Sequence, residues 1–323
     1  MNDSSWRPSA SLEILHRRAE FIEAIRRFFR DKGVLEVDTP LLASSTALDP
    51  YLDSIQAHYH EAPGVSPRVL YLQTSPEYAM KRLLAAGSGP IFQLGRAFRD
   101  SERGRRHNPE FTMLEWYRPG FDLEALMSEV AELVQAVAKV SVTEWLTYRE
   151  AFQRHADVDP FTAEERELQA LAGELSGLEV GNLERDELLD IILSHQVEPC
   201  LGQAGGTFIY HYPPSQAALA QTCQSGDVLV AQRFELYVQG IELANGYFEL
   251  TDADEQVRRF DLDNLQRRRM GKPEIPIDQR FIAALRQGMP SCSGVALGVD
   301  RLLMIAVGAQ SIDEVIPFPI DRI

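Results

Sequence analysis

The chain has 323 residues, 45% of them hydrophobic, and 32 Lys and Arg against 48 Asp and Glu give a formal net charge of −16. That length supports a large core in one or two domains, and the acidity argues against a broad basic face gripping nucleic acid. Three dispersed cysteines (Cys200, Cys223, Cys292), no basic-then-apolar leader and no uninterrupted apolar span argue against a disulfide scaffold, a zinc site, secretion or a membrane partner, so a cytoplasmic protein is expected.

In chain order, residues 11–31 form an amphipathic helix, with Leu15, Ile22 and Phe29 seven apart and Ile14, Phe21, Ile25 and Phe28 beside them. Gly33 stops it, and "VLEVDTP" follows as a strand closed by Pro40. "VLYLQTSPEYAMKRLLAAG" reads as strand, turn at Ser75-Pro76 and short helix, while "IFQLGRAFR" and "EFTMLEWYR" pair as antiparallel strands across a polar loop. Residues 121–200 are mainly helical by pattern. "TFIYHYP" and "RFELYVQGIELAN" return to strand, Thr251 caps a helix, and "SGVALGVDRLLMIAVGA" runs from a glycine-spaced strand into a helix. Helices and hairpins segregate, which predicts an α+β fold, an antiparallel sheet flanked by helices, in a single domain over 1–323.

The chain has neither GxxxxGK[ST] nor GxGxxG, so any nucleotide site is built otherwise. Residues 95–116, "GRAFRDSERGRRHNPEFTMLEW", gather five arginines and one histidine, a set suited to an anion. Glu235, Glu242 and Glu249 are seven apart, and a hairpin turning near Gln239-Gly240 is expected to set Glu235 roughly opposite Glu242. Facing carboxylates repel unless a cation sits between them, and Mg²⁺ fits; a solvated hairpin face is the bland alternative.

Three stretches in order resemble the motifs of class II aminoacyl-tRNA synthetases: "FIEAIRRFFRDKGVLEVDTP" motif 1, "FRDSERGRRHNPEF" motif 2 and "GVALGVDR" motif 3. The resemblance implies that fold's catalytic domain, ATP and Mg²⁺ as cofactors, and a homodimer through motif 1. It also implies that Arg99 holds the α-phosphate and the substrate carboxylate, and that Phe111 and Arg301 flank the adenine, Arg301 reaching the γ-phosphate. Gly298 would let the nucleotide approach the strand, with Asp100, Ser101, Asn108, Glu242 and Leu243 also around the nucleotide. Guanidinium groups suit this chemistry because they make paired hydrogen bonds to phosphate.

Within the class the chain is most similar to lysyl-tRNA synthetases, through "LYLQTSPEYAMKRL", "NPEFTMLEWY", "TFIYHYP" and "IELANGYFELTDADEQ". That implies Ser75, Pro76 and Glu77 at the substrate amino group, and Glu115, Tyr117 and Glu249 around a distal ammonium, which needs buried acceptors. Two departures matter. Motif 1 begins near residue 11, leaving no room for an anticodon-reading OB-fold, so no stable tRNA binding is expected. Ala296 stands where those synthetases carry glycine, and its methyl suits a displaced amino group.

Both departures match the truncated lysyl-tRNA synthetase paralogues that modify elongation factor P. Membership implies activation of (R)-β-lysine, or lysine, as an adenylate and its transfer to the ε-amine of a lysine on that factor. Motif 2 here runs Arg99-Asp100-Ser101 where that family has Arg-Asn-Glu, so backbone groups or Glu102 are the alternatives for the adenine contact. Arg103, Arg105, Arg106 and His107 are expected either to steer an acidic protein acceptor or to form a solvated loop tip. Competing readings are a stand-alone adenylate-forming ligase with another acceptor and a non-catalytic regulatory paralogue; retention of both Arg99 and Arg301 argues against the latter.

Overall fold

The computed structural model describes residues 6–323. The chain divides into two compact units, one made of the segment up to Gly120 together with Leu250–Ile323, the other of Phe121–Glu249. The first segment of unit 1 carries α1 (Leu12–Asp31), β1 (Leu35–Glu36), β2 (Leu42–Ala43), β3 (Gln56–Tyr59) and β4 (Arg68–Leu72). It continues with α2 (Glu77–Ala85), β5 (Ile91–Phe98) and β6 (Glu110–Pro119). Unit 2 opens with α3 (Leu123–Ala138), β7 (Val142–Thr147), α4 (Tyr148–Ala156), α5 (Glu165–Ser176) and α6 (Arg185–Ile192). It closes with β8 (Gly206–Tyr212), β9 (Thr222–Ser225), β10 (Val228–Val238) and β11 (Ile241–Phe248). Unit 1 then resumes with α7 (Ala253–Arg269), α8 (Gln279–Gly288), β12 (Cys292–Gly298) and α9 (Val299–Val307).

In unit 1 the strands run β1-β5-β6-β12, the first pair parallel and the others antiparallel, with β2-β4-β3 as a separate small sheet. α1 begins where the Ser11 hydroxyl accepts the Ile14 N–H, and its spacing buries Phe21, Ile25 and Phe29. The Phe29 ring stacks on Phe92 of β5 at 4.6 Å and meets Trp116 of β6 edge-on at 5.2 Å, fixing the helix to one face of the strands. Successive strand residues alternate faces, so Phe111, Met113, Glu115 and Tyr117 look out from the other. In register, Tyr117 pairs with Gly294, Glu115 with Ala296 and Met113 with Gly298. The glycine-spaced strand therefore lies beside the polar residues of β6, and that shared face is the floor of the candidate site.

Unit 2 has β11-β10-β8-β7, with β9 on β10 and β7 parallel to β8, and a core in which Tyr148, Phe152, Leu188, Ile209 and Tyr212 are buried. The β10–β11 turn sits at Gln239–Gly240, where both residues have positive φ (52° and 65°), as a two-residue hairpin requires. The α+β class holds, with mixed strand pairing. Three details differ from expectation. The helical stretch after residue 120 contains a strand, β7, and a π-turn at Leu193–Val197. Of "VLEVDTP" only Leu35–Glu36 pairs as strand. Asp252 rather than Thr251 caps α7, its carboxylate accepting the Asp254 and Glu255 N–H groups. Among the described residues no helix is long and apolar enough to cross a membrane.

Candidate active site

Unit 1 assembles two clusters on its open face. The first is built on α2 and β6. Pro76 precedes α2 and Glu77 begins it, because Ser75 closes the turn by accepting the Glu77 N–H at 3.1 Å. The same Ser75 hydroxyl donates to Glu115 Oε2 at 2.6 Å, and the Tyr117 hydroxyl donates to Oε1 at 2.6 Å. Glu115 is 2% exposed. Burial and then the neighbouring charge of Glu77 push its pKa up to about 7, against the pull of the two hydroxyls. One turn along α2, fully buried Lys81 donates to Glu77 Oε1 at 2.7 Å. Lys81 was not singled out in the sequence, although the i,i+4 spacing from Glu77 was there to be read. Two carboxylates thus share one resident cation. When Glu115 ionises, the group carries a net negative charge, a setting for an ammonium.

The second cluster joins the end of β5, the loop after it and α9. The Arg99 guanidinium lies 5.2 Å from the centre of the Phe111 ring and reaches Glu102 only at 3.7 Å. Its Nε is buried without a hydrogen-bond partner, a costly state for a charged donor and one that an incoming oxyanion would relieve. Arg301, in the first turn of α9, donates through Nε to the Arg106 carbonyl at 3.3 Å and approaches His107 Nε2 at 2.5 Å. Burial, then the Arg301 charge, lowers the His107 pKa, so the ring is a neutral acceptor for the guanidinium. A Cβ at Gly298 would touch the Arg301 stem at 3.6 Å, so the missing side chain leaves that stem uncovered.

Other expected residues sit differently. Asp100 and Ser101 are exposed; the Asp100 carboxylate accepts the Ser101 N–H, and Ser101 is left-handed (φ 61°). Asn108 is buried and engaged at both ends of its amide, donating to the Glu110 carbonyl and accepting from Ile320 N–H. Of the steering arginines, Arg103 binds Asp313 and Asp321, and Arg105 binds the Gln310 carbonyl and side chain. Those two tie the loop to the 310–321 segment while remaining exposed.

In unit 2 the facing of Glu235 and Glu242 is overturned. A two-residue turn at Gln239–Gly240 puts Tyr237 across from Glu242, and a bulge after Leu236 carries Glu235 to Asn245. Glu235 Oε1 accepts from Arg233 at 2.5 Å and Asn245 at 3.2 Å, and Oε2 from the hydroxyls of Tyr212 (2.7 Å) and Tyr237 (2.5 Å). A buried carboxylate so neutralised and saturated by protein donors has no free lone pair for Mg²⁺ in this arrangement. Glu235→Gln is therefore expected to lower stability by about 3 kcal/mol by leaving Arg233 without its counter-charge. The loss in denaturant unfolding should be the same with and without Mg²⁺; a Mg²⁺ stabilisation present in the wild type and absent from the variant would restore the metal assignment. Leu243 and Glu249 are likewise buried in unit 2, where the Glu249 carbonyl accepts from Gln221.

Comparison with known proteins identifies the family. The family model for tRNA synthetases class II (D, K and N) matches residues 4–322. A Proteus mirabilis protein named elongation factor P--(R)-beta-lysine ligase is 52% identical over 322 residues, covering 99% of this chain and 98% of the relative. Its namesake from Edwardsiella ictaluri is 52% identical with the same coverage, and that from Yersinia pestis 50% identical over 324 residues and 99% of both chains. With its motif 2 and motif 3 arginines beside a glycine-spaced strand, the chain belongs to the class II tRNA synthetase family of ligases.

Proposed function

We propose that the protein uses ATP to activate (R)-β-lysine or lysine and passes the aminoacyl group to the ε-amine of a lysine on elongation factor P. In the first step a carboxylate oxygen of the amino acid attacks the α-phosphorus, and the bond to pyrophosphate breaks. In the second, the acceptor amine attacks the carbonyl carbon, AMP leaves, and the amine gives up a proton. Neither step needs a side-chain nucleophile. What each needs is charge stabilisation around phosphate and a fixed amino acid.

The single observation that carries the reading is the pairing, within unit 1, of the under-committed Arg99 guanidinium on Phe111 with the Glu115 carboxyl cluster farther along the same face of β6. One end suits an anion, the other an ammonium, as a zwitterionic amino acid joined to a nucleotide demands. Arg99 and Arg301 neutralise phosphate charge, assisted by the amide groups at the start of α9. Glu77 and Glu115 take the amines, and the Ala296 methyl, paired in register with Glu115, narrows the space for them. For Glu242, Leu243 and Glu249 the reading rests on the family pattern alone. ATP is taken with Mg²⁺, to which no residue is assigned. Exposed Leu12, Leu35 and Leu42 on unit 1 are consistent with a homodimer that includes motif 1.

The test is mass spectrometry of elongation factor P and of tRNA after incubation with the protein, Mg-ATP and each lysine isomer. A lysyl-sized mass gain on the factor, none on tRNA and faster reaction with the β-isomer are expected. Charging of tRNA with no change in the factor would reverse the choice of acceptor.

A further inference from the structure

We infer that Arg18, on the motif 1 helix α1, is a positioning residue that sets the spacing of Phe111 and Arg301 from behind the strand. This rests on the reading of those two residues as the walls of the nucleotide site. Arg18 is 9% exposed, and its partner Asp300 is 1% exposed. Arg18 NH1 lies 2.6 Å from Asp300 Oδ1 as a contact of charges without hydrogen-bond alignment. Its NH2 donates to Thr112 Oγ1 at 2.7 Å, and NH1 also reaches the Val315 carbonyl at 3.3 Å. Asp300 Oδ2 in turn accepts the Thr112 backbone N–H at 2.7 Å, and Arg96 donates to the same Thr112 hydroxyl at 3.1 Å.

The consequence follows from chain neighbours. Thr112 comes directly after Phe111, and Asp300 directly before Arg301. Because adjacent strand residues face opposite ways, the Arg18–Asp300–Thr112 knot lies on the covered face while Phe111 looks out from the open one. Tying Asp300 to the Thr112 amide locks the start of α9 to β6, so the two walls cannot drift apart. Arg18 occupies the remaining carboxylate oxygen and the Thr112 hydroxyl together, which a planar guanidinium can do and a single ammonium cannot. A buried ion pair is a poor choice for stability alone, since apolar residues of similar volume serve as well or better. Its value here is geometric.

The experiment measures ATP and lysine KM, kcat and direct ATP binding by calorimetry for the wild type, Arg18→Met, Arg18→Lys and Thr112→Val. Expected are an ATP KM raised at least tenfold in Arg18→Met, a smaller rise in Arg18→Lys and Thr112→Val, and a lysine KM within twofold of wild type throughout. A lower melting temperature with reduced kcat and both KM values unchanged would mean a merely structural strut and overturn the inference. Should Arg18→Met not fold, Thr112→Val decides: it removes one hydroxyl, and an unchanged ATP KM there sinks the idea. A wild type that takes up no ATP in the calorimeter would instead refute the nucleotide reading itself.

Discussion

Arg99→Ala is expected to abolish most ATP–pyrophosphate exchange, a fall of about 10³-fold, while leaving the fold intact. The magnitude follows from losing a cation aimed at a transferring phosphoryl group, where a single arginine contributes roughly 10³–10⁵. The stability expectation follows from its surroundings. Arg99 is part-exposed, meets Glu102 only at 3.7 Å and holds a buried Nε without a partner, so its removal breaks little and relieves one unsatisfied donor. Melting temperature should therefore hold or rise slightly as activity collapses, the pattern of a residue kept for function at some expense of stability. Arg99→Lys should recover little, because an ammonium offers a point charge in place of two parallel donors. Exchange assays and thermal melts on the same preparations decide it. If exchange falls only in proportion to folded protein, Arg99 belongs to the scaffold.

Much of this architecture was legible in the sequence where a local physical rule sufficed. The α1 span follows from its apolar spacing, and the β10–β11 turn from Gln239–Gly240. The antiparallel β5–β6 pair follows from two strand-like runs on either side of a polar loop, whereas the pairing of β6 with β12 came only from the structure. What escaped depends on partners far away in the chain. Arg103 and Arg105 look like a free basic loop until Asp313, Asp321 and Gln310 arrive from some two hundred positions on. Arg18 looks like one more charge on a helix with Arg17 beside it, and only the packed structure buries it against Asp300. Glu235 and Glu242 show how fragile register is: turn length and one bulge decided which side chains meet. Composition does not divide the chain at Gly120 and Leu250, and the helical pattern of 121–200 hides β7, the strand of unit 2 that lies within it.

Glu115 carries the second large effect, and its sign can be worked through. Its pKa stands near 7 in the folded protein against 4.5 for a free carboxyl, chiefly from burial. Below pH 7 it is neutral and offers an ammonium only a weak acceptor; above pH 7 it is charged. The KM for the amino acid should therefore fall as pH rises from 6 to 8, approaching tenfold per pH unit on the acid side, and binding near neutrality should release protons. Folding has the opposite dependence. Because the folded state favours the protonated form, this group's contribution is fully favourable below pH 4.5 and is lost as pH rises towards 7, a cost on the order of 3 kcal/mol above that range. Glu115→Gln removes the charge and keeps an acceptor for one of the two hydroxyls. It should raise the amino acid KM by roughly 10- to 100-fold, the worth of about 1.5–3 kcal/mol for a charged hydrogen bond, and flatten the pH profile. At pH 8 it should also stabilise the free protein, by about 1–2 kcal/mol once the mismatched hydroxyl is subtracted. Steady-state kinetics from pH 6 to 9 and denaturant unfolding at pH 8 check both halves. A variant that keeps the wild-type pH profile would place the titrating group elsewhere, and one that binds lysine as well as the wild type would remove the ammonium from this cluster altogether.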